Sequence, residues 1–175
     1  MPRQTQRPPF GQSAKENVAK AKEDALRLLR YRCRSERELL LRLQAKGFSQ
    51  ATAKSVIARL KKVGLIDDAA FAKAIVQSAL DDTKPHARWE VRFKLQRLGI
   101  PDDLIDQALS LWTDEVERQM AERYLRRRLS LSANSVGRLP TAEEIARAFR
   151  AAKQKGFDLD ALRDALRALH ADPDG

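Results

Sequence analysis

Apolar residues recur at spacings of three and four along most of the chain, the period of a helix that lays one stripe of side chains against a core. Start signals divide this pattern. Ser13 with Glu16, Ser35 with Glu38 and Thr141 with Glu144 have the spacing in which two side chains satisfy the free amides of a helix N-terminus. Thr113 precedes Asp114 and Glu115, acids favoured by the positive end of a helix. Stop signals follow: Gly47, Gly64, Gly99 and Gly156 each close a segment where a left-handed residue ends the last turn. These marks predict helices over 14–33, 36–46, 50–63, 68–81, 85–98, 101–111, 114–129, 142–155 and 159–170. The stretch from Trp89 to Leu95 alternates apolar and charged residues like a strand, yet Ala87, Val91, Leu95 and Leu98 also form one helix face. No second alternating segment offers it a partner, so the expected fold is all-α.

The helices repeat. Superposing Gly47, Gly99 and Gly156 aligns Leu43, Leu95 and Ala152 before the glycine and Phe48, Ile100 and Phe157 after it. Ile57, Leu109 and Leu166 match further on, as do Leu60, Trp112 and Leu169. Ser49, Pro101 and Asp158, all suited to a helix start, stand two residues past each glycine. Each period spans about three helices, so the chain reads as three tandem three-helix repeats that need one another's apolar surface. The expected divisions are a basic, unstructured arm over 1–12, rich in proline, and repeats over 13–66, 67–112 and 113–175.

Charge adds a direction. The net charge is +10, and residues 1–60 carry 14 basic against 5 acidic groups, whereas 61–113 carry 8 and 8 and 114–175 carry 12 and 11. A positive field confined to the first third concentrates polyanions, of which nucleic acid is the commonest inside cells. Cys33, His86 and His170 are too few and too far apart for a zinc or nucleophile site, and Asp67 with Asp68 reads as a helix start. Catalysis, a metal and a cofactor are therefore not expected. No apolar run is long enough to span a membrane or to serve as a secretory signal, which with a lone thiol points to the cytoplasm.

The run Tyr31-Arg32-Cys33-Arg34-Ser35-Glu36-Arg37-Glu38-Leu39, then Leu43, Lys46-Gly47-Phe48-Ser49, Gly64-Leu65-Ile66-Asp67-Asp68 and Phe71-Ala72, resembles RecX proteins, bacterial regulators of the RecA recombinase. Lys84-Pro85, Leu95 to Ile100, Phe149 and Lys155-Gly156-Phe157 extend the resemblance across about residues 24–169. The chain departs from the pattern at Thr83, where a glycine is common before Lys84-Pro85, and at Leu98, where a lysine is usual. The resemblance implies an elongated, curved array of three repeats. It further implies a monomer that binds RecA and its filament on single- and double-stranded DNA, largely without sequence preference, and restrains ATPase and strand exchange without being an enzyme. The competing expectation is a helix-turn-helix transcriptional regulator, with a glycine turn leading into a groove-reading helix.

The candidate contacts are basic. Arg27, Arg30 and Arg34 fall on one face of the predicted first helix, with Leu26, Leu29 and Cys33 turned to the core, and Arg37, Arg42 and Lys46 extend the patch onto the second. Arg126 and Arg127, with Lys155 one helix on, form a weaker candidate, since Glu115, Glu117 and Glu122 lie near enough in sequence to neutralise it. Arg88 and Arg92 flank Trp89 and Phe93. Aromatics at this spacing are expected in the core, with a stacking platform for single strands as the alternative.

Overall fold

A computed structural model describes residues 14–132 and 140–171, with side chains from 16 to 129 and from 140 to 169. The expected arm over 1–12 and the Ser13 helix start lie outside these residues. The described residues form nine helices and no strand: α1 (Ala14–Tyr31), α2 (Glu36–Ala45), α3 (Gln50–Lys62), α4 (Asp68–Asp81), α5 (Arg88–Arg97), α6 (Asp102–Leu109), α7 (Asp114–Ser132), α8 (Ala142–Lys155) and α9 (Leu159–Ala171). The segment with strand-like alternation is helix α5. Val91 and Leu95 are buried on one side of it, which satisfies the four-residue period at the expense of the two-residue one.

The glycine repeat has one geometric cause. Gly47, Gly64, Gly99 and Gly156 all take positive φ, from 71° to 94°, a region closed to most side chains. At Gly47 the next amide, that of Phe48, donates to the carbonyl of Leu43, and Gly47 N–H donates to Gln44. Ile100 to Leu95 and Phe157 to Ala152 repeat the longer bond, each at 3.2 Å. The residues aligned before and after each glycine are thus the acceptor and donor of the bond that closes a helix, and they pack together in the core. Leu65 to Leu60 makes the same closure after α3.

The chain divides into two compact units between Asp68 and Ala69. In the first, α1, α2 and α3 bury Leu39, Leu43, Val56, Ile57 and Leu60, while Ala21, Ala25 and Ala53 let the backbones approach. Each fully buried Leu or Ile contributes about 1.5–3 kcal/mol. In the second, one continuous core from α4 to α9 is built on Val91, Leu95, Ile105, Leu109, Trp112, Leu125 and Leu162. The second and third sequence repeats share this core.

Helix starts follow the side-chain chemistry. Thr141 and Glu144 form the full reciprocal pair, whereas Ser35 accepts the Glu38 amide at 3.1 Å and the Glu38 carboxylate turns elsewhere. Helix α1 ends at Tyr31, two residues short of the expected end. There Arg34 Nε donates to the Leu28 carbonyl at 3.1 Å, one of the acceptors a helix terminus leaves open. Two expectations fail for this reason. Cys33 is exposed, not in the core, and Arg34 is only 8% exposed, so it does not continue a surface stripe with Arg27 and Arg30.

Candidate nucleic-acid interface

The basic surface of the first unit is organised by two carboxylates. Ser35 fixes the first turn of α2, which places Glu38 between three guanidinium groups. One Glu38 oxygen accepts from Arg32 at 2.6 Å, from Arg42 at 2.9 Å and from Arg34. Burial pushes the Glu38 carboxyl up, but the hydrogen bonds from Arg42 and Arg32 and the charges of Arg34 and Arg32 outweigh it and hold the group below its ordinary range. Four residues beyond Arg42, Lys46 reaches Asp24 on α1 at 2.8 Å, and Arg27 pairs with the same carboxylate. The Lys46 hydrogen bond is the main cause of a lowered Asp24 carboxyl.

Glu38, Arg42 and Lys46 recur every four residues and so line one edge of α2. Along that edge five cations share two carboxylates. Arg32 and Arg42 are each 49% exposed, and their remaining N–H groups are open to a phosphate. Arg30 and Arg37 are exposed and have no partner among the described residues. Helix α3 carries Lys54, Arg59, Lys61 and Lys62 and no acid; Lys61 pairs with Glu36 at 2.7 Å, while the other three are exposed and have no partner among the described residues. Lys54, Arg59 and Lys62 are not among the contacts predicted from the sequence, although the acid-free run from 50 to 62 is their signal.

The candidates in the second unit are mostly neutralised. Arg92 pairs with Asp106, Arg126 with Glu122 at 2.9 Å and Lys155 with Glu90 at 2.9 Å, while Arg88 stands 3.8 Å from Asp114. Arg127 is exposed and has no partner among the described residues. Glu122 does pair with an arginine, as its position suggested, but Glu117 does not. Glu117 is 5% exposed and accepts from Trp112 Nε1 at 2.7 Å, Arg88 N at 3.0 Å and Asp158 N at 3.3 Å. Ala87 gives α5 no side-chain cap, so this carboxylate from α7 serves instead. Trp89 and Phe93 are not core residues: they are 56% and 46% exposed, opposite the buried Val91 and Leu95.

Among the described residues, no group of three His, Cys, Asp or Glu is placed to hold a metal, and no helix is long and apolar enough to cross a membrane. What the arrangement can do is hold phosphates on the first unit.

Comparison with known proteins agrees with the repeat. The family models described as RecX first and second three-helix domains match residues 21–60 and 67–109. The regulatory protein RecX of Amycolatopsis mediterranei is 35% identical over 127 residues, which covers 73% of this chain and 72% of the relative. That of Chlorobaculum tepidum is 32% identical and covers 85% of this chain and 88% of the relative. The chain belongs to the RecX family. Its fold is that of solved RecX structures. The Lactobacillus salivarius crystal structure superposes with a TM-score of 0.78 at 20% identity, over 90% of this chain and 99% of that one. A second RecX crystal structure gives 0.77 at 23% identity, over 87% of this chain and 74% of the other. Tandem three-helix domains are thus the RecX architecture, and the curated RecX relatives bear the name of regulatory proteins.

Proposed function

We propose that the chain is a regulator of the RecA recombinase that binds RecA and its DNA filament and restrains ATP hydrolysis and strand exchange. Family membership supplies the partner. The observation that carries the DNA contact is the edge of α2, where Glu38 and Asp24 hold five cations in place with a local excess of three positive charges. Fixed arginines lose less side-chain freedom on meeting phosphate than mobile ones do. Such contacts read the backbone and not the bases, in keeping with weak sequence preference on single or double strands. The protein acts as a non-enzymatic monomer in the cytoplasm, a reducing setting with which the exposed Cys33 thiol is compatible.

The helix-turn-helix reading is less well supported. The turn at Gly47 leads into α3, but Ser49 and Thr52 in its first turn bond to each other at 2.9 Å, which occupies hydroxyls a base reader would direct outward. The decisive experiment is DNA-dependent ATP hydrolysis by RecA with the protein added in increasing ratio. Hydrolysis is expected to slow at or below equimolar protein. An unchanged rate across salt concentrations rejects the proposal.

A further inference from the structure

We propose that Trp89 and Phe93 on α5 form a stacking platform for unpaired bases, giving the second unit a contact with single-stranded nucleic acid that the arginine edge of the first unit cannot provide. The inference rests on the DNA-binding reading above and names the form of nucleic acid the second unit selects.

The platform follows from the helical period of α5. Val91 and Leu95 occupy its buried stripe, and Trp89 and Phe93, four residues apart, occupy the opposite one. Their rings are stacked, with centroids 5.2 Å apart and planes 5° from parallel. Two rings left in water at 56% and 46% exposure retain apolar surface that a planar partner would cover. The indole is also held in place. A Cβ at Gly156 would lie 2.9 Å from Trp89 Cε3 and 3.1 Å from its Cβ, so the Trp89 side chain rests on the glycine turn after α8. At Gly47, the corresponding turn of the first repeat, a Cβ would meet nothing within 4 Å. The glycine that closes α8 therefore also makes room for an aromatic seat.

Charge selects the occupant. Lys94 and Arg97 on α5 and Lys153 on α8 are exposed and without partners among the described residues. Arg88 and Arg92, the first loosely paired with Asp114 and the second paired with Asp106, line the groove beside Trp89 together with Lys153. The groove also holds Glu115, Asp160 and Asp164, each paired with an arginine, and Asp158, which accepts the amides of Asp160 and Ala161. With those acids already engaged, the unpartnered charges beside the stacked rings are the cations Lys94, Arg97 and Lys153, which fits a chain of planar bases joined by phosphates. In a duplex the base faces are already stacked on one another and offer nothing to the rings.

The molecule contains its own reporter. Trp112, the other tryptophan, is 1% exposed and donates to Glu117, so changes in emission on adding a ligand arise from Trp89. Titration with oligothymidylate of about 20 nucleotides, long enough for a single-strand site, is expected to quench that emission, and a duplex of equal length is not. By anisotropy with a labelled oligonucleotide, Trp89→Ala and Phe93→Ala are each expected to lower single-strand affinity about five- to a hundredfold, the range for loss of one stacked base. Duplex affinity and the dependence of log affinity on log salt should stay as they were, since no phosphate contact is removed. Both positions are exposed, and unchanged circular dichroism would verify the fold. If the oligonucleotide binds but neither emission nor single-strand affinity responds to these rings, the platform is rejected while the arginine edge stands. If nothing binds at low salt, both readings fall. Emission that answers to RecA protein alone and not to oligonucleotide overturns the platform as well.

Discussion

Each unit is built round a carboxylate near the start of a helix, and the two are used in opposite ways. Glu38 gathers Arg32, Arg34 and Arg42, so a single negative charge holds three positive ones and leaves a net positive surface. Glu117 gathers neutral donors, the indole of Trp112 and the amides of Arg88 and Asp158, and stitches together α5, α7 and the start of α9. The same chemical group therefore organises a surface in one unit and an interior in the other. The charge count agrees: residues 1–68 hold 16 basic and 7 acidic groups, and residues 69–175 hold 18 and 17.

Removing the two carboxylates separates these roles. Glu117→Ala orphans one buried donor, the Trp112 indole, worth about 1–3 kcal/mol, and two part-buried amides worth less, so a loss of about 3–4 kcal/mol is expected in urea unfolding. Glu38→Ala leaves Arg34 buried with its bond to Leu28 and releases two arginines that are already half in water. Its cost should be about 2 kcal/mol or less. Equal losses at the two sites would mean that Glu38 is as much an interior element as Glu117.

Much of this was legible in the sequence. The four turn glycines could be read because only positive φ closes those helices, and the aligned Leu43, Leu95 and Ala152 are the carbonyls that receive the closing bonds. The nine helices of the described residues lie within a few residues of the positions the pattern predicts. The interface was less legible, for two physical reasons. Helix α5 carries two stripes with the same spacing, Val91 with Leu95 and Trp89 with Phe93, and periodicity does not say which one faces inward. The end of α1 depends on a long side chain, Arg34, reaching back to Leu28, for which no short-range pattern exists. That one contact turns Cys33 outward and withdraws Arg34 from the stripe assigned to it.

The charge contrast is sharpened by salt. Arg32→Ala with Arg42→Ala removes two exposed members of the Glu38 group and leaves Arg34 to pair with Glu38. The slope of log DNA affinity against log salt should shrink by about two, roughly one per lost phosphate contact. Arg163→Ala with Arg167→Ala is the matched change in the second unit. These arginines pair with Asp160 and Asp164 at 2.8 and 2.9 Å, and their loss should leave the slope where it was. If both pairs reduce the slope equally, the polyanion surface extends over both units.

The smallest effect concerns Asp68, whose carboxylate accepts the Glu36 amide at 2.9 Å. Burial raises its pKa, against the lowering effect of that hydrogen bond. In the second unit Asp82 and Glu115 are shifted the other way, each to about 2, by hydrogen bonds from His86 and from Arg118 respectively. The signs are therefore opposite. Depressed carboxyls add stability that is complete above their unfolded pKa of about 4 and is lost as pH falls toward 2. A raised carboxyl binds its proton more tightly in the fold, so its ionised form costs stability at neutral pH, and that cost disappears in acid. Asp68→Asn keeps an oxygen to accept the Glu36 amide and carries no charge. It should raise the thermal midpoint slightly at pH 7, and this gain should vanish once the wild-type carboxyl is protonated. Asp82→Asn should instead lower the midpoint at pH 7 and converge with wild type near pH 2. If Asp68→Asn lowers the midpoint at pH 7, the Asp68 charge supports the first unit, and Asp68 joins Glu38 and Asp24 as a carboxylate that the fold favours in its ionised form.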